Sequence, residues 1–343
     1  MNVLDKIEKL RLDRGWSVYR LAEKAGITDN YIYFCILRIQ SMEYGIMQWL
    51  SKEEVRKDID FFEENGIEVE YELHALDWLL PHSLFASHPD WFRMNDLGER
   101  TKDWNCCVSN EEGLSYIERS AFRYAELLAQ KSHNYYIWRD DTKDGLCHCE
   151  QCRKYNGADQ NMLVMKHILK GIKQYDPQAK LSFLTYQDSF DIPLITPDKD
   201  MFLEFAPIER NHFVSIAGKD AQNEKNREIL ERLLKIFPAE TAQALEYFLD
   251  VSLFCQWQRE KAGPLQIDEK RLNADVAYYS SLGIKNISTF AAFMDCEWLQ
   301  RYGTNAIETY GKIVNETELI SRWTTKNWKG IKSVGLLFYV MIF

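Results

Sequence analysis

Two adjacent carboxylates, Asp140 and Asp141, follow the apolar run YYIW at Tyr135–Trp138. Side by side, two such groups repel. That raises the pKa of one and suits it to act as an acid near neutral pH. A short way downstream stand Cys147, Cys149 and Cys152, in the pattern C-x-C-x-x-C. Thiolates at this spacing can share one tetrahedral Zn²⁺, with Cys106 or Cys107 as the fourth ligand. Such a metal would be structural, because four sulfurs leave no open coordination position, so no cofactor is expected for catalysis itself. Free thiols packed in a loop, or disulfides, are the competing readings of the same residues.

These groups need elements to hold them. From Lys52 onward, helical and strand periodicities alternate. Strands are predicted over Ile67–His74, Asn134–Asp140, Lys180–Tyr186, Met201–Ala206, Ala242–Asp250 and Ile284–Phe290. Helices are predicted over Glu53–Asn65, Asn110–Gln130, Gln160–Tyr175, Asn223–Ile236 and Leu272–Leu282, with Gly283 ending the last. Strands separated by helices or long crossovers imply a parallel sheet. For a chain of 343 residues the expectation is an α/β fold of the TIM-like (β/α) barrel type. The predicted strands are two short of the usual eight. The barrel is therefore incomplete, or further strands lie near Ile36–Trp49 and Leu336–Ile342. No glycine-rich phosphate loop follows any strand, which argues against nucleotide binding.

Barrel enzymes carry their chemistry at the C-terminal ends of the strands. Those ends present His74 with Trp78, Trp138 with Asp140 and Asp141, Tyr186 with Asp188, Glu204, Glu246 with Tyr247 and Asp250, and Phe290 with Phe293. Carboxylates there can supply the acid and the stabilising charge that glycoside cleavage needs. Aromatic faces suit the apolar side of a sugar ring. His74, Trp78, Trp138, Tyr186, Glu204, Glu246, Tyr247 and Asp250 are thus candidate substrate-binding residues. The competing reading makes Trp78, Tyr186 and Tyr247 core aromatics. Glu204 and Glu246 sit among apolar strand residues, where a carboxylate is costly unless paired. An ion pair with a residue such as Arg210 is the alternative for them.

The composition is that of a soluble globular protein, 46% hydrophobic and 27% charged. A net charge of −10 argues against a chain devoted to nucleic acid. The N-terminus lacks the apolar core of a signal peptide, and no run approaches the roughly eighteen apolar residues of a membrane span. A cytoplasmic protein with mostly reduced cysteines and no membrane association is expected.

Residues 1–40 differ from the rest. Val3–Arg14 and Ser17–Ala25 have helical patterns around Gly15, and Gly26 then precedes a third start at Thr28. The stretch LDKIEKLRLDRGWSVYRLAEKAGIT closely resembles the beginning of a phage-repressor-type (Cro/C1, XRE) helix-turn-helix domain. The resemblance implies that a third helix would present Thr28, Asp29, Asn30 and Tyr31 to the DNA major groove. The later helices of that family are missing from YFCILRIQSMEYGIMQW. The segment reads as a DNA-binding fragment or as a helical cap on the next domain.

From about Lys52 to Tyr310 the chain resembles domain-of-unknown-function family 4838, some members of which form glycoside hydrolase family 163. The likeness rests on EYELHALDWLLP, HPDWFRMNDLGER, NCCVSNEEGLSYIE, YYIWRDDTKDGLCHCEQCRKY, LSFLTYQD, FLEFAPIERN and ALEYFLDVS. It implies a TIM-like barrel and retaining endo-β-N-acetylglucosaminidase action on N-glycans. Carried over by position, Asp140 would orient the substrate's 2-acetamido group and Asp141 would protonate the leaving oxygen. The family pattern has Asp followed by Glu, so Asp141 is one methylene short of it. The resemblance also selects Cys107, rather than Cys106, as partner of Cys147, Cys149 and Cys152. The expected organisation is a helix-turn-helix-like segment at 1–40, a glycosidase-like barrel at 41–312 and an atypical tail at 313–343. Joining the barrel so abruptly to a repressor-like fragment suggests a truncated or rearranged reading frame. A non-catalytic carbohydrate-binding barrel, or a regulator whose barrel senses a sugar, are the other functions this organisation permits.

Overall fold

A computed structural model describes residues 32–37, 69–294, 296–324 and 336–341, with isolated positions 53, 56, 57 and 60. Thr28, Asn30 and Tyr31, with residues 1–31 of the helix-turn-helix-like segment, lie outside the described residues, whereas residues 32–37 of that segment form a strand of the sheet. Most of the helix expected over 53–65 also lies outside the described residues.

The strands are β1 (Ile32–Leu37), β2 (Val69–His74), β3 (Asn134–Trp138), β4 (Lys180–Thr185), β5 (Met201–Phe205), β6 (Gln243–Glu246), β7 (Asn286–Thr289) and β8 (Leu336–Met341). They form one sheet in the order β7-β6-β5-β4-β3-β2-β1-β8, and every ladder in it is parallel. The six strands from β2 to β7 are those expected from periodicity, shortened at their ends. β1 and β8 fall near the two places where further strands were expected. The sheet curls, and Cα atoms of β7 and β8 come within 8 Å of each other. Among the described residues no ladder joins them. The architecture is an α/β half-barrel, a curled parallel sheet consistent with an incomplete barrel.

The helices are α1 (Leu76–Leu79), α2 (Glu111–Ala125), α3 (Gly157–Tyr175), α4 (Ala221–Leu233), α5 (Val251–Phe254), α6 (Glu269–Ser281), α7 (Cys296–Tyr302) and α8 (Asn305–Thr324). Side-chain caps begin several of them. Asn110, Asn156, Asp220 and Asp268 accept backbone N–H groups from the first turns of α2, α3, α4 and α6, satisfying donors the helix cannot. Gly283 ends α6 at φ +89°, a left-handed position natural to glycine. No helix was expected over α1, α5, α7 or α8; of these, α1 and α5 are single turns too short to show a period.

Strand pleating divides the apolar residues between two cores. Tyr71, Leu73, Tyr135, Ile137, Leu181, Phe183, Leu203, Phe205 and Ala244 face the helices. On the other face, inside the curl, Tyr136, Trp138, Leu184, Phe202, Leu245, Tyr247 and Phe290 pack together. Burial of each large side chain contributes about 1.5–3 kcal/mol, so both faces hold the sheet. Two glycines of α3 permit close approaches. A Cβ on Gly171 would meet the Glu118 carbonyl of α2 at 2.1 Å, and one on Gly157 would meet the Asp188 carbonyl at 1.7 Å. The loop after β4 therefore lies directly on the N-terminal end of α3.

Candidate functional site

The strand β3 is buried on both faces, and the chain leaves it at Arg139, Asp140 and Asp141. Asp140 is tied inward. Its Oδ2 accepts the Asn105 backbone N–H at 2.5 Å and its Oδ1 accepts that of Asp77 at 3.2 Å. Its own N–H donates to the Asn105 side-chain oxygen at 3.1 Å. Burial raises the pKa of Asp140, opposed by the Asn105 N–H and by His74 and His82 nearby. Repulsion between neighbouring carboxylates was the expected cause; removal from water is the actual one.

Asn105 is the clasp of this region. It is buried at φ +48°, a conformation that asparagine tolerates better than most residues. Besides its two bonds to Asp140, its Nδ2 donates to the Gly145 carbonyl at 3.0 Å. No periodicity or motif announces such a residue.

Asp141 turns the other way. Its Oδ1 accepts from Tyr186 Oη and from Gln187 Nε2, each at 3.1 Å, and Gln187 also bonds Tyr186 Oη at 2.8 Å. Burial first, and then the charge of Asp141, raises the pKa of Tyr186, so the phenol stays protonated as a donor. His74 packs edge-on to Trp138 at 5.1 Å, and its Nδ1–H donates to the Arg139 carbonyl at 2.5 Å. That bond leaves Nε2 as the second ring nitrogen, available as an acceptor when the ring is neutral. His74, Trp138, Arg139, Asp140, Tyr186 and Gln187 line one cleft. Of the residues predicted from sequence, the structure brings His74, Trp138, Asp140 and Tyr186 to that cleft, and hydrogen-bonds Asp141 to two of its lining residues, Tyr186 and Gln187.

Deeper inside the curl, Trp138 Nε1 donates to Ser182 Oγ at 2.7 Å and to Glu204 Oε2 at 3.1 Å. Ser182 also donates to Glu204 Oε2, at 2.5 Å. Glu204 therefore supports the underside of Trp138. Burial, assisted by the charge of Glu70, pushes the Glu204 pKa up to about 8. A carboxyl raised in the folded state stabilises the fold below its unfolded pKa, and that contribution is lost as pH rises towards the folded value. Glu204→Gln is accordingly expected to melt at a temperature close to wild type near pH 4.5. At pH 8.5 it should melt higher than wild type by roughly 5 °C. Parallel thermal melts at the two pH values check this, and an unchanged difference would refute it.

Tyr247 stacks on Phe290 at 4.9 Å and its hydroxyl is buried without a hydrogen-bond partner among the described residues. Asp250 caps α5, accepting from Leu253 N at 3.1 Å and Ser252 Oγ at 2.5 Å, and burial pushes its pKa up to about 6. Burial first, and then the charges of Asp250 and Asp141 among others, raise the pKa of Tyr247 as they raise that of Tyr186.

Glu246 and Trp78 are placed elsewhere. Glu246 shares a face with Ala244, opposite Leu245, and points under α6. There Arg210 Nε donates to it at 3.1 Å and Tyr279 Oη at 2.5 Å, while Arg210 Nη2 reaches Asp275 at 2.9 Å. This is the buried ion pair named as the alternative for such a carboxylate, and removing one member of such a pair costs about 3–5 kcal/mol. Trp78 belongs to the core between sheet and helices.

The four sulfurs of Cys107, Cys147, Cys149 and Cys152 are buried and lie within 4.8 Å of one another. Cys107 Sγ is 3.7 Å from Cys149 Sγ and 3.8 Å from Cys152 Sγ. A tetrahedron of sulfurs around Zn²⁺ at about 2.3 Å has edges of about 3.8 Å. Hydrogen bonds from the thiols of Cys147 and Cys152 hold the Cys107 pKa far below the usual thiol range. The donor set and its spacing fit a metal ion, so the cluster can hold one. Cys106 stays outside the group, buried with its pKa raised. The cluster also touches the acid region, because Cys107 and Cys147 follow closely on Asn105 and Gly145, the two residues joined by the clasp.

A curled parallel sheet with polar groups gathered at the C-terminal ends of adjacent strands defines the class to which this protein belongs. The family model described as Domain of unknown function (DUF4838) matches residues 31–236, more than half of the chain, and the chain belongs to that family. No curated protein matches it. Among solved structures, the chain is similar to a crystal structure of beta-galactosidase from Bacillus circulans sp. alkalophilus, at 12% identity and a TM-score of 0.27. That match covers 77% of this chain and 40% of the other, so the chain spans well under half the length of that enzyme. Among the described residues no helix is long and apolar enough to cross a membrane.

Proposed function

We propose that the cleft at the ends of β3 and β4 is the active site of a glycoside hydrolase-like barrel, its cleft-bearing part lying within residues 41–312 while β1 and β8 add strands from outside that span. Its substrates would be glycans containing N-acetylglucosamine. The observation that carries this reading is the posture of Asp141. Two donors that line the cleft, Tyr186 and Gln187, hold its Oδ1, and no hydrogen bond among the described residues engages Oδ2. A carboxylic acid so oriented can protonate the glycosidic oxygen as the bond to the anomeric carbon breaks. In the retaining form of the reaction, the carbonyl oxygen of the substrate's own 2-acetamido group attacks that carbon, and Asp140 accepts the acetamido N–H. Water, deprotonated by Asp141, then opens the cyclic intermediate. His74, Trp138 and Tyr186 supply ring and hydroxyl contacts. No cofactor takes part, and zinc in the four-cysteine cluster would serve only to hold the loops.

The test is turnover by the wild-type protein across a panel of aryl β-glycosides and a glycopeptide. Release of the aglycone or oligosaccharide from an N-acetylglucosaminide is the expected result. No turnover on any member sinks the catalytic reading. One observation favours a non-catalytic carbohydrate-binding barrel instead: both oxygens of Asp140 already accept backbone N–H groups. Sugar binding, followed by tryptophan fluorescence, that persists in Asp141→Asn without any wild-type turnover would select that reading.

A further inference from the structure

Arg139 stands between the two candidate acids and the end of β3, and the mechanism above makes no use of its side chain. It is 8% exposed and lines the cleft. Among the described residues its guanidinium has neither a hydrogen bond nor an ion pair, and none of its nitrogens is among the fully enclosed polar atoms. The nitrogens therefore keep some exposed surface, in a residue that lines the cleft.

The carboxylates nearest to it are already engaged. Asp188 accepts the backbone N–H groups of Asp144 and Gly145 at 2.9 and 2.7 Å, and Asp140 accepts those of Asp77 and Asn105. Their charges lie close enough to favour the cation, yet neither comes within ion-pairing distance. Burial opposes that charge and lowers the pKa of Arg139, but a guanidinium does not give up its proton in a protein. What remains is a nearly buried cation with five donors and no acceptor, in the lining of a cleft. An ion in that state is costly unless something pairs with it. The partner that matches a planar fork of donors is an oxyanion.

We propose that Arg139 is an oxyanion-binding residue of this cleft, and that the saccharide it takes carries a carboxylate or a sulfate on the sugar bound there. This rests on reading the cleft as a carbohydrate site and narrows the substrate to acidic glycans.

Titration calorimetry with the full chain tests the proposal without needing turnover. The probes are glucuronic acid, N-acetylglucosamine 6-sulfate, N-acetylglucosamine and inorganic sulfate. One of the acidic sugars is expected to bind wild type about tenfold or more tighter than N-acetylglucosamine, as one charged hydrogen-bonded pair would produce. Which one binds tighter identifies the carboxylate or the sulfate as the group recognised. In Arg139→Gln the preference should vanish while neutral-sugar binding stays. Equal affinity of wild type for acidic and neutral sugars overturns this proposal and leaves the carbohydrate reading standing. Binding of inorganic sulfate alone overturns it as well. Failure to bind any sugar overturns both readings. If Arg139→Gln does not fold, competition in wild type decides. Inorganic sulfate should displace the acidic sugar and leave the neutral one bound, and displacement of both or of neither refutes the assignment.

Discussion

Asp141→Asn is expected to lower turnover of an N-acetylglucosaminide by roughly 10²–10⁴-fold, the usual contribution of a positioned general acid, with little change in melting temperature. The two effects separate because of how Asp141 is held. Tyr186 Oη and Gln187 Nε2 both donate to Oδ1, and an asparagine keeps an oxygen there to receive them. The amide cannot donate a proton to a leaving oxygen or take one from water, so both halves of the reaction lose their proton carrier. Asp141→Ala would remove the acceptor as well and strand two donors, so it is the poorer test. Asp141→Glu lengthens the side chain by one methylene, moving the proton donor by about an ångström, a distance that matters to rate. It should retain far more activity than the asparagine variant. Initial rates with matched thermal melts check all three. An Asp141→Asn protein that turns over at the wild-type rate would remove Asp141 from the mechanism.

The second large effect concerns the cysteines. Cys152→Ser is expected to reduce bound zinc from about one per chain to nearly none and to lower the melting temperature by roughly 10 °C or more. Four thiolates would hold the metal in the folded chain alone, so the free energy of binding would also be free energy of folding. The damage should not stay local. Cys107 and Cys147 bracket the loops joined by Asn105, whose N–H and side chain hold both ends of Asp140. Loss of the metal should therefore loosen the acid region, and residual activity should fall along with metal content during chelation. Elemental analysis of the wild-type protein decides first: preparations free of metal that melt as high as metal-replete ones would end the structural-metal reading.

Much of this site could be read along the chain because its signals are local. Alternation in EVEYELH and the apolar run in YYIW located β2 and β3 to within a few residues, since pleating imposes a two-residue period on any half-buried strand. Asp140 and Asp141 were visible as the polar step that ends β3. The C-x-C-x-x-C spacing needed no fold to suggest a metal site, because three ligands within six residues meet whatever surrounds them.

Other features depend on which face of a curled sheet a residue occupies. Glu204 and Glu246 look alike in sequence, each a single carboxylate in an apolar strand. The register turns Glu204 inward beneath Trp138 and Glu246 outward onto Arg210, and no pattern within either strand records which face becomes the inside. Asn105, Gln187 and Arg139 went unnoticed for the same reason. They lie in connections, where a residue's role comes from partners remote in sequence rather than from a repeating period. Thus Asp140–Asp141 and the cysteines were determined by the sequence alone. The separate postures of the two acids, one clasped by backbone donors and one held by the side chains of Tyr186 and Gln187, were decided by tertiary structure, because only the packed loops bring Asp77, Asn105, Tyr186 and Gln187 within hydrogen-bonding distance of them.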